Sequence, residues 1–169
     1  TRSGQWQAGL AACGILVWQF GPGPWAAPLF AAAGLLTLWH VMAWKPWAVL
    51  RTPLLWILYL GYAGLGLGLW AAAAYALGWT ARMSWPVHLL GMAGFGALIV
   101  GMITRTALGH TGRALVADRS MVCSYGLVFC AVVLRLVALG ASTQPVLWLH
   151  ASAACWVLAF AVYLWRFLP

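Results

Sequence analysis

The sequence predicts an all-α, polytopic membrane protein with about six transmembrane helices in one bundle. Of its 169 residues, 65% are hydrophobic and only 6% are charged, whereas a soluble domain carries roughly 25% charged residues. A chain with so few charges cannot cover a folded surface against water, so its main partner is expected to be a lipid bilayer. At this length a single transmembrane domain, residues 1–169, is expected.

Six apolar stretches account for these helices, because a transmembrane helix needs ~20 predominantly apolar residues. A Gly-Pro-Gly-Pro turn at residues 21–24 separates the first two, and Pro53, Pro86 and Pro145 open three others. The stretches run from about Trp6 to Phe20, Trp25 to Trp44, Pro53 to Gly78, Trp85 to Thr106, Ser120 to Gly140 and Pro145 to Phe167. The first stretch is the shortest.

The basic residues predict the orientation of the chain in the membrane. Six spans place both termini on one side, here called side A, and the opposite side is called side B. Side A and its edges receive seven basic residues, namely Arg2, Lys45, Arg51, Arg105, Arg113, Arg119 and Arg166. Arg82 lies on side B and Arg135 lies within the fifth span. The positive-inside rule therefore predicts cytoplasmic termini, and the net charge of +8 does not indicate nucleic-acid binding.

Two histidines and one arginine form the candidate cofactor site on side B. His88 begins span four, His150 begins span six, and Arg135 lies at a similar depth in span five. A buried arginine in a membrane requires an anion, and the only acidic residue, Asp118, lies on side A. A haem propionate would supply that anion, with the histidines as metal ligands. The alternatives are that the histidines only form hydrogen bonds and that Arg135 extends to the membrane surface.

Met92 and a set of glycines leave further alternatives open on the same helices. His88 and Met92, four residues apart, are an imidazole and a thioether that suit a soft metal such as Cu(I), although Met92 can also serve packing alone. The glycines permit either close helix packing or the close approach of a flat macrocycle. They are Gly61, Gly64 and Gly68 on span three and Gly91, Gly94 and Gly101 on span four.

A second candidate site lies on side A, where His40 ends span two and His110 follows span four. His110 belongs to a glycine-bracketed turn, Gly109 to Arg113. The backbone N–H groups of this turn, with Arg105 and Arg113, are candidates for holding an anion or haem propionates; the alternative is an ordinary helix C-cap. A single acidic residue excludes catalysis by paired carboxylates, which favours a binding protein over an enzyme.

The run GMITRTALGHTGR, from Gly101 to Arg113, closely resembles the signature of the NnrS family. His88 with the glycines behind it, and PLLWILYLGY at 53–62, resemble the family more loosely, and the resemblance covers about residues 45–167. It implies a bacterial inner-membrane protein that carries b-type haem and copper and is linked to nitric oxide metabolism or nitrosative stress. The residues that match by motif position are His88, Arg105, His110 and Arg113, with Arg135 as a further match.

The chain departs from the family pattern in two ways. Tyr59 stands where members often have a histidine, and His40 is the candidate substitute on side A. Members also tend to have about twelve spans, and the six here resemble the C-terminal half, which implies a second six-helix half or other membrane subunits as partners. Two other functions remain open: an accessory or structural subunit of a larger membrane complex, and half of a transporter.

Overall fold

The computed structural model describes residues 2–21, 23–80, 82–140 and 143–168, and within them the chain is helical without strands. The predicted all-α architecture is therefore confirmed. The six long helices are α1 (Arg2–Phe20), α2 (Gly23–Ala43), α3 (Pro53–Ala76), α4 (Ser84–His110), α5 (Arg119–Leu139) and α6 (Pro145–Phe167). A short 3-10 turn, Pro46–Val49, links α2 to α3.

Five of the six helices, α2 to α6, are long and apolar enough to cross a membrane. The first predicted span differs, because α1 is 19 residues long but is not among these candidates within the described residues. Glutamines at 5, 7 and 19 lower its hydrophobicity. It packs as the first arm of a hairpin with α2, where the Phe30 ring lies against Gly14. The side chain of His40, near the end of α2, contacts Ser3 and Gln7 near the start of α1.

Local sequence signals explain most helix ends. Pro53 and Pro145 occupy the first positions of α3 and α6, as predicted, since a proline there removes no helical hydrogen bond. Pro86 does not open its helix, which begins two residues earlier at Ser84. Asp118 is the N-cap of α5, and its carboxylate accepts a hydrogen bond from the Met121 N–H at 3.1 Å.

Glycines set the close packing of α3 on α4, which run antiparallel. A Cβ on Gly61 would lie 2.8 Å from the Leu98 side chain, and one on Gly64 would collide with the backbone of Ala93. A Cβ on Gly101 would meet Ile57 and Leu58 in the same way. The packing interpretation of these glycines is therefore supported by their contacts. The largest core cluster joins α3 to α6 and includes Leu54, Ile57, Ala97, Val100, Tyr125, Val128 and Ala159.

The side B half of α4 departs from α-helical geometry. Residues Leu89–Gly96 form a π-helical segment that begins directly after His88. Gly91, Gly94 and Gly96 lie within these eight residues, and glycine weakens the preference for a regular α-helix. Local π-helical geometry is rare and is frequently found at functional sites, so this segment is a candidate part of a functional site.

Candidate functional site

A groove on side B brings together three of the predicted site residues. It measures about 400 Å³ and lies between α4, α5 and α6. His88 and Met92 enter it from α4, Arg135 from α5, and Trp156 forms a wall from α6. The remaining lining residues are Val87, Gly91, Ala153 and Val157. The groove thus combines an imidazole, a thioether and a guanidinium on otherwise apolar walls.

His88 presents one free nitrogen in this arrangement. Its Nδ1 lies 2.7 Å from the carbonyl oxygen of Ser84, one turn earlier in α4. A carbonyl only accepts, so Nδ1 carries the hydrogen, and the neutral ring has its lone pair on Nε2. Within the described part of the chain, no group is hydrogen-bonded to Nε2. Metal-binding histidines commonly donate their other ring N–H to a carbonyl in this way.

Arg135 presents the complementary charge. Its Nε donates to the Ser152 hydroxyl at 3.3 Å, and no described residue is bonded to either of its terminal Nη groups. The single acidic residue cannot serve as the counter-ion, because the Asp118 carboxylate pairs with Arg166 at 2.5 Å on side A. The guanidinium therefore offers two parallel N–H donors to a carboxylate that this chain does not supply.

Gly91 differs from the other five glycines that the sequence offered for packing on spans three and four, Gly61, Gly64, Gly68, Gly94 and Gly101. A Cβ on Gly94 or Gly96 would collide with Leu65 or Trp156, whereas a Cβ on Gly91 would meet nothing within 4 Å. Gly91 is exposed and lines the groove. Helix packing therefore does not require a glycine at this position, and the close approach of a macrocycle here stays a prediction.

His150 lies near the groove without lining it. α4 and α6 run in the same direction with an offset of 60 residues, since the Tyr163 hydroxyl donates to the Ile103 carbonyl at 3.4 Å. On this offset His150 lies level with Leu90, within one turn of His88. It is exposed and stands one turn before Ala153 on the same face of α6. A site with both histidines as ligands stays a prediction.

His40, the candidate ligand on side A, occupies a different environment. It is only 5% exposed, its Nδ1 lies 3.1 Å from the Gln7 side-chain oxygen, and its Nε2 lies 2.9 Å from the Ser3 hydroxyl. Tyr62 donates to the same Gln7 oxygen at 2.6 Å. Both ring nitrogens are thus already bonded, and His40 joins α1 to α2. Tyr59 donates to the Trp44 carbonyl at 2.9 Å.

The turn that contains His110 forms a regular helix C-cap. Gly112 adopts a left-handed conformation (φ 65°), its N–H bonds to the Gly109 carbonyl, and the Arg113 N–H bonds to the Leu108 carbonyl at 3.0 Å. This is the Schellman arrangement. These backbone N–H groups are therefore already bonded and not available to an anion. The turn is the ordinary helix C-cap that was the alternative interpretation of the sequence. The side chains of His110 and Arg113 are exposed and that of Arg105 is half-buried, and their role as anion ligands stays a prediction.

No metal site is complete within the described residues. They contain no cluster of three or more histidine, cysteine or acidic side chains with the geometry to hold a metal ion. Cys13, Cys123, Cys130 and Cys155 are all free thiols. A metal bound to the groove would consequently depend on His88, the Met92 thioether and either His150 or ligands from outside this chain, or would arrive within a cofactor.

Comparison with protein families decides the affiliation. The family model described as NnrS protein matches residues 2–169. The chain belongs to the NnrS family. No curated relative and no solved structure is significantly similar to it. The family match also includes α1 and α2, which the resemblance seen in the sequence had mostly left out.

Two residues that line the groove or support its lining, Trp156 and Ser152, were not singled out by sequence analysis. Ser152 holds Arg135, and Trp156 covers Gly96 while lining the groove. The one signal for both is their four-residue spacing, which puts them on one face of α6. Tryptophans are common in this chain, at 13 of 169 residues, so the spacing acquires meaning only once α5 and α6 are packed together.

Proposed function

We propose that this NnrS family chain is a haem- and metal-binding protein of the bacterial inner membrane, with a role in nitric oxide metabolism or nitrosative stress. It acts as a binding protein and not as a turnover enzyme, with both termini in the cytoplasm. One observation carries the assignment of the site: the free His88 Nε2 and the free Nη groups of Arg135 meet in one groove. Family membership supports the link to nitric oxide.

Four residues of the groove have separate roles in binding haem. His88 ligates the haem iron through Nε2, and Arg135 binds a propionate through its two Nη groups. Gly91 leaves room for the face of the macrocycle, and the Trp156 indole covers its apolar part. Held by these residues, haem would supply the iron to which nitric oxide could bind. His150, which lies at a similar depth on α6, is our candidate for a second ligand.

Copper is assigned to the same groove through Met92 and His88, because thioether and imidazole groups suit Cu(I). Haem and copper would then compete for His88, so a chain that holds both needs a further site. We assign that site to side A, where His110 is the candidate metal ligand and Arg105 and Arg113 are the candidate partners of an anion or haem propionates.

The exposure of α6 favours a second candidate function, that of a subunit in a larger membrane assembly. Only 11% of the most apolar window of α6 is buried, against 33% to 44% in the other four spanning helices. A second six-helix half, or another membrane subunit, could cover this face beside the groove. Chemical crosslinking of native membranes followed by mass spectrometry would identify such a neighbour.

A substitution series tests the proposed site. The chain is purified in detergent, and its haem is measured by absorption spectroscopy and its metals by mass spectrometry. Arg135→Leu should lose most of its haem while inserting into the membrane as well as the wild type. Arg135→Lys should lose less, since lysine keeps the charge but cannot form the bidentate pair.

Arg119→Leu is the matched control, because Arg119 is an exposed arginine at the side A end of the same helix, α5. It should retain wild-type haem. Full haem occupancy with an unchanged spectrum in Arg135→Leu would refute the proposed side B site. A haem-free, metal-free wild type would instead favour the subunit function.

A further inference from the structure

Two buried serines join α5 to α6. The Ser124 hydroxyl of α5 donates to the Ala159 carbonyl of α6 at 2.9 Å. The Ser152 hydroxyl of α6 donates to the Ala131 carbonyl of α5 at 2.7 Å. Both serines are almost completely buried. The two bonds are therefore equivalent as links between the helices, one in each direction.

The serines differ in what their oxygens accept. Ser152 also accepts the Nε–H of Arg135 at 3.3 Å, whereas no described residue donates to Ser124. The hydroxyl hydrogen of Ser152 is donated to the Ala131 carbonyl, so the hydroxyl oxygen can only accept a hydrogen bond from a second partner. Ala131 lies one turn before Arg135 on α5, so the serine bonds two neighbouring positions of that helix. The guanidinium is thus held through Nε, and no described residue forms a hydrogen bond with either Nη group.

Arg82 occupies the acceptors that Arg135 could otherwise reach at the side B end of α5. An arginine near a helix end tends to extend toward the membrane surface, and the carbonyls one turn further along α5 are natural acceptors there. Arg82 already donates to those carbonyls, from one Nη to Leu139 and to Gly140, the latter at 3.1 Å. The side B end of α5 is therefore capped by another residue, and Arg135 has less to gain by leaving the groove.

We propose that Ser152 is a positioning residue that holds the Arg135 guanidinium in the side B groove, with its two Nη groups directed to a carboxylate of the ligand. The positioning concerns this chain alone; only the identity of the carboxylate as a haem propionate rests on the proposed function. Ser124 provides a control within the same helix pair, since its removal breaks an equivalent link without touching Arg135.

The first test measures the position of Arg135 without haem. Full-length wild type, Ser152→Ala and Ser124→Ala are placed in lipid nanodiscs, haem-free, and treated with phenylglyoxal, which modifies accessible arginines. Modification of Arg135 is followed by peptide mass spectrometry. Loss of the hydrogen bond should raise its rate by roughly threefold in Ser152→Ala and leave it at the wild-type value in Ser124→Ala. Equal rates in the two variants would overturn the proposal.

The second test connects position to binding. Haem retention is compared for Ser152→Ala alone and in an Arg135→Leu background. If Ser152 acts through Arg135, Ser152→Ala lowers retention in the wild-type background and has no effect once Arg135 is absent. A loss of the same size in both backgrounds would contradict the proposal. Raised phenylglyoxal reactivity with unchanged haem retention would support the positioning role and count against the haem assignment.

Discussion

The two ends of this bundle use the same polar residue types in opposite ways. At the side A end, His40 is bonded through both ring nitrogens, and Asp118 and Arg166 neutralise each other. At the side B end, His88 and Arg135 each keep unused bonding groups in one groove. Unpaired polar groups are costly in a membrane. The difference therefore separates residues that stabilise the fold from residues that are available to a ligand.

The first prediction concerns which end of the bundle faces the cytoplasm, and its labelling result is all-or-none. In a variant without the four native cysteines, Val116→Cys on side A and Thr143→Cys on side B introduce single exposed thiols. A membrane-impermeant maleimide added to intact cells should label only Thr143→Cys, because basic loops stay in the cytoplasm. Labelling of Val116→Cys instead would place the groove on the cytoplasmic side.

Exchange of the two histidines for alanine should separate binding from stability. His88→Ala should remove nearly all bound haem and leave the unfolding midpoint of the haem-free protein unchanged. His40→Ala should keep the haem spectrum and lower the free energy of unfolding by about 1–3 kcal/mol, because Gln7 and Ser3 lose a buried partner. Absorption spectra and denaturant unfolding measure the two effects. Loss of haem in His40→Ala together with full haem occupancy in His88→Ala would show that His40, and not His88, binds haem.

Filling the groove should reduce binding by a smaller factor. Gly91→Leu places an apolar side chain in open space within the groove. We expect haem affinity to fall by about tenfold, in the range typical of overpacking. Gly126→Leu is the control, since Gly126 is exposed on α5 and a Cβ there also meets nothing within 4 Å. Titration of haem into both variants measures the difference, and equal affinities would exclude Gly91 from the binding surface.

The smallest effect is expected for the ion pair at side A. Partial burial would raise the pKa of Asp118, but hydrogen bonds from Ser120, Arg166 and the Met121 N–H outweigh it and lower the pKa to about 2. A lowered pKa means that the ionised carboxylate contributes stability above its ordinary value of 3.8 and loses it as the pH falls toward 2.

Asp118→Asn keeps an N-cap while removing the charge. It should cost at most ~1 kcal/mol at pH 7, since the pair is partly exposed. Thermal unfolding should show the same difference from wild type at pH 5 and pH 7 and a decreasing one below about pH 4. A difference that grows on acidification would contradict the assigned ion pair.

Sequence patterns predicted the helices well because apolar length is a local property. Five spans appeared at nearly the expected bounds, and prolines 53 and 145 marked two helix starts. The weakest stretch, α1, proved to be the helix that is not apolar enough to cross by composition. The block His88 to Arg113 also predicted the family correctly. Bonding states were not predictable, because each depends on partners far away in sequence, such as Gln7 for His40 and Ser152 for Arg135.

The sequence by itself determined that this chain is an all-α membrane protein of the NnrS family, because composition and a contiguous motif carry that information. Only the tertiary structure decided which polar residues are already paired and which remain free. Four histidines have the same chemistry in the sequence, yet the packing of α1 on α2 satisfies His40, and the packing of α4, α5 and α6 leaves the His88 Nε2 in a groove beside Arg135. The physical reason is that a hydrogen bond depends on distances of about 3 Å, and helix packing sets those distances.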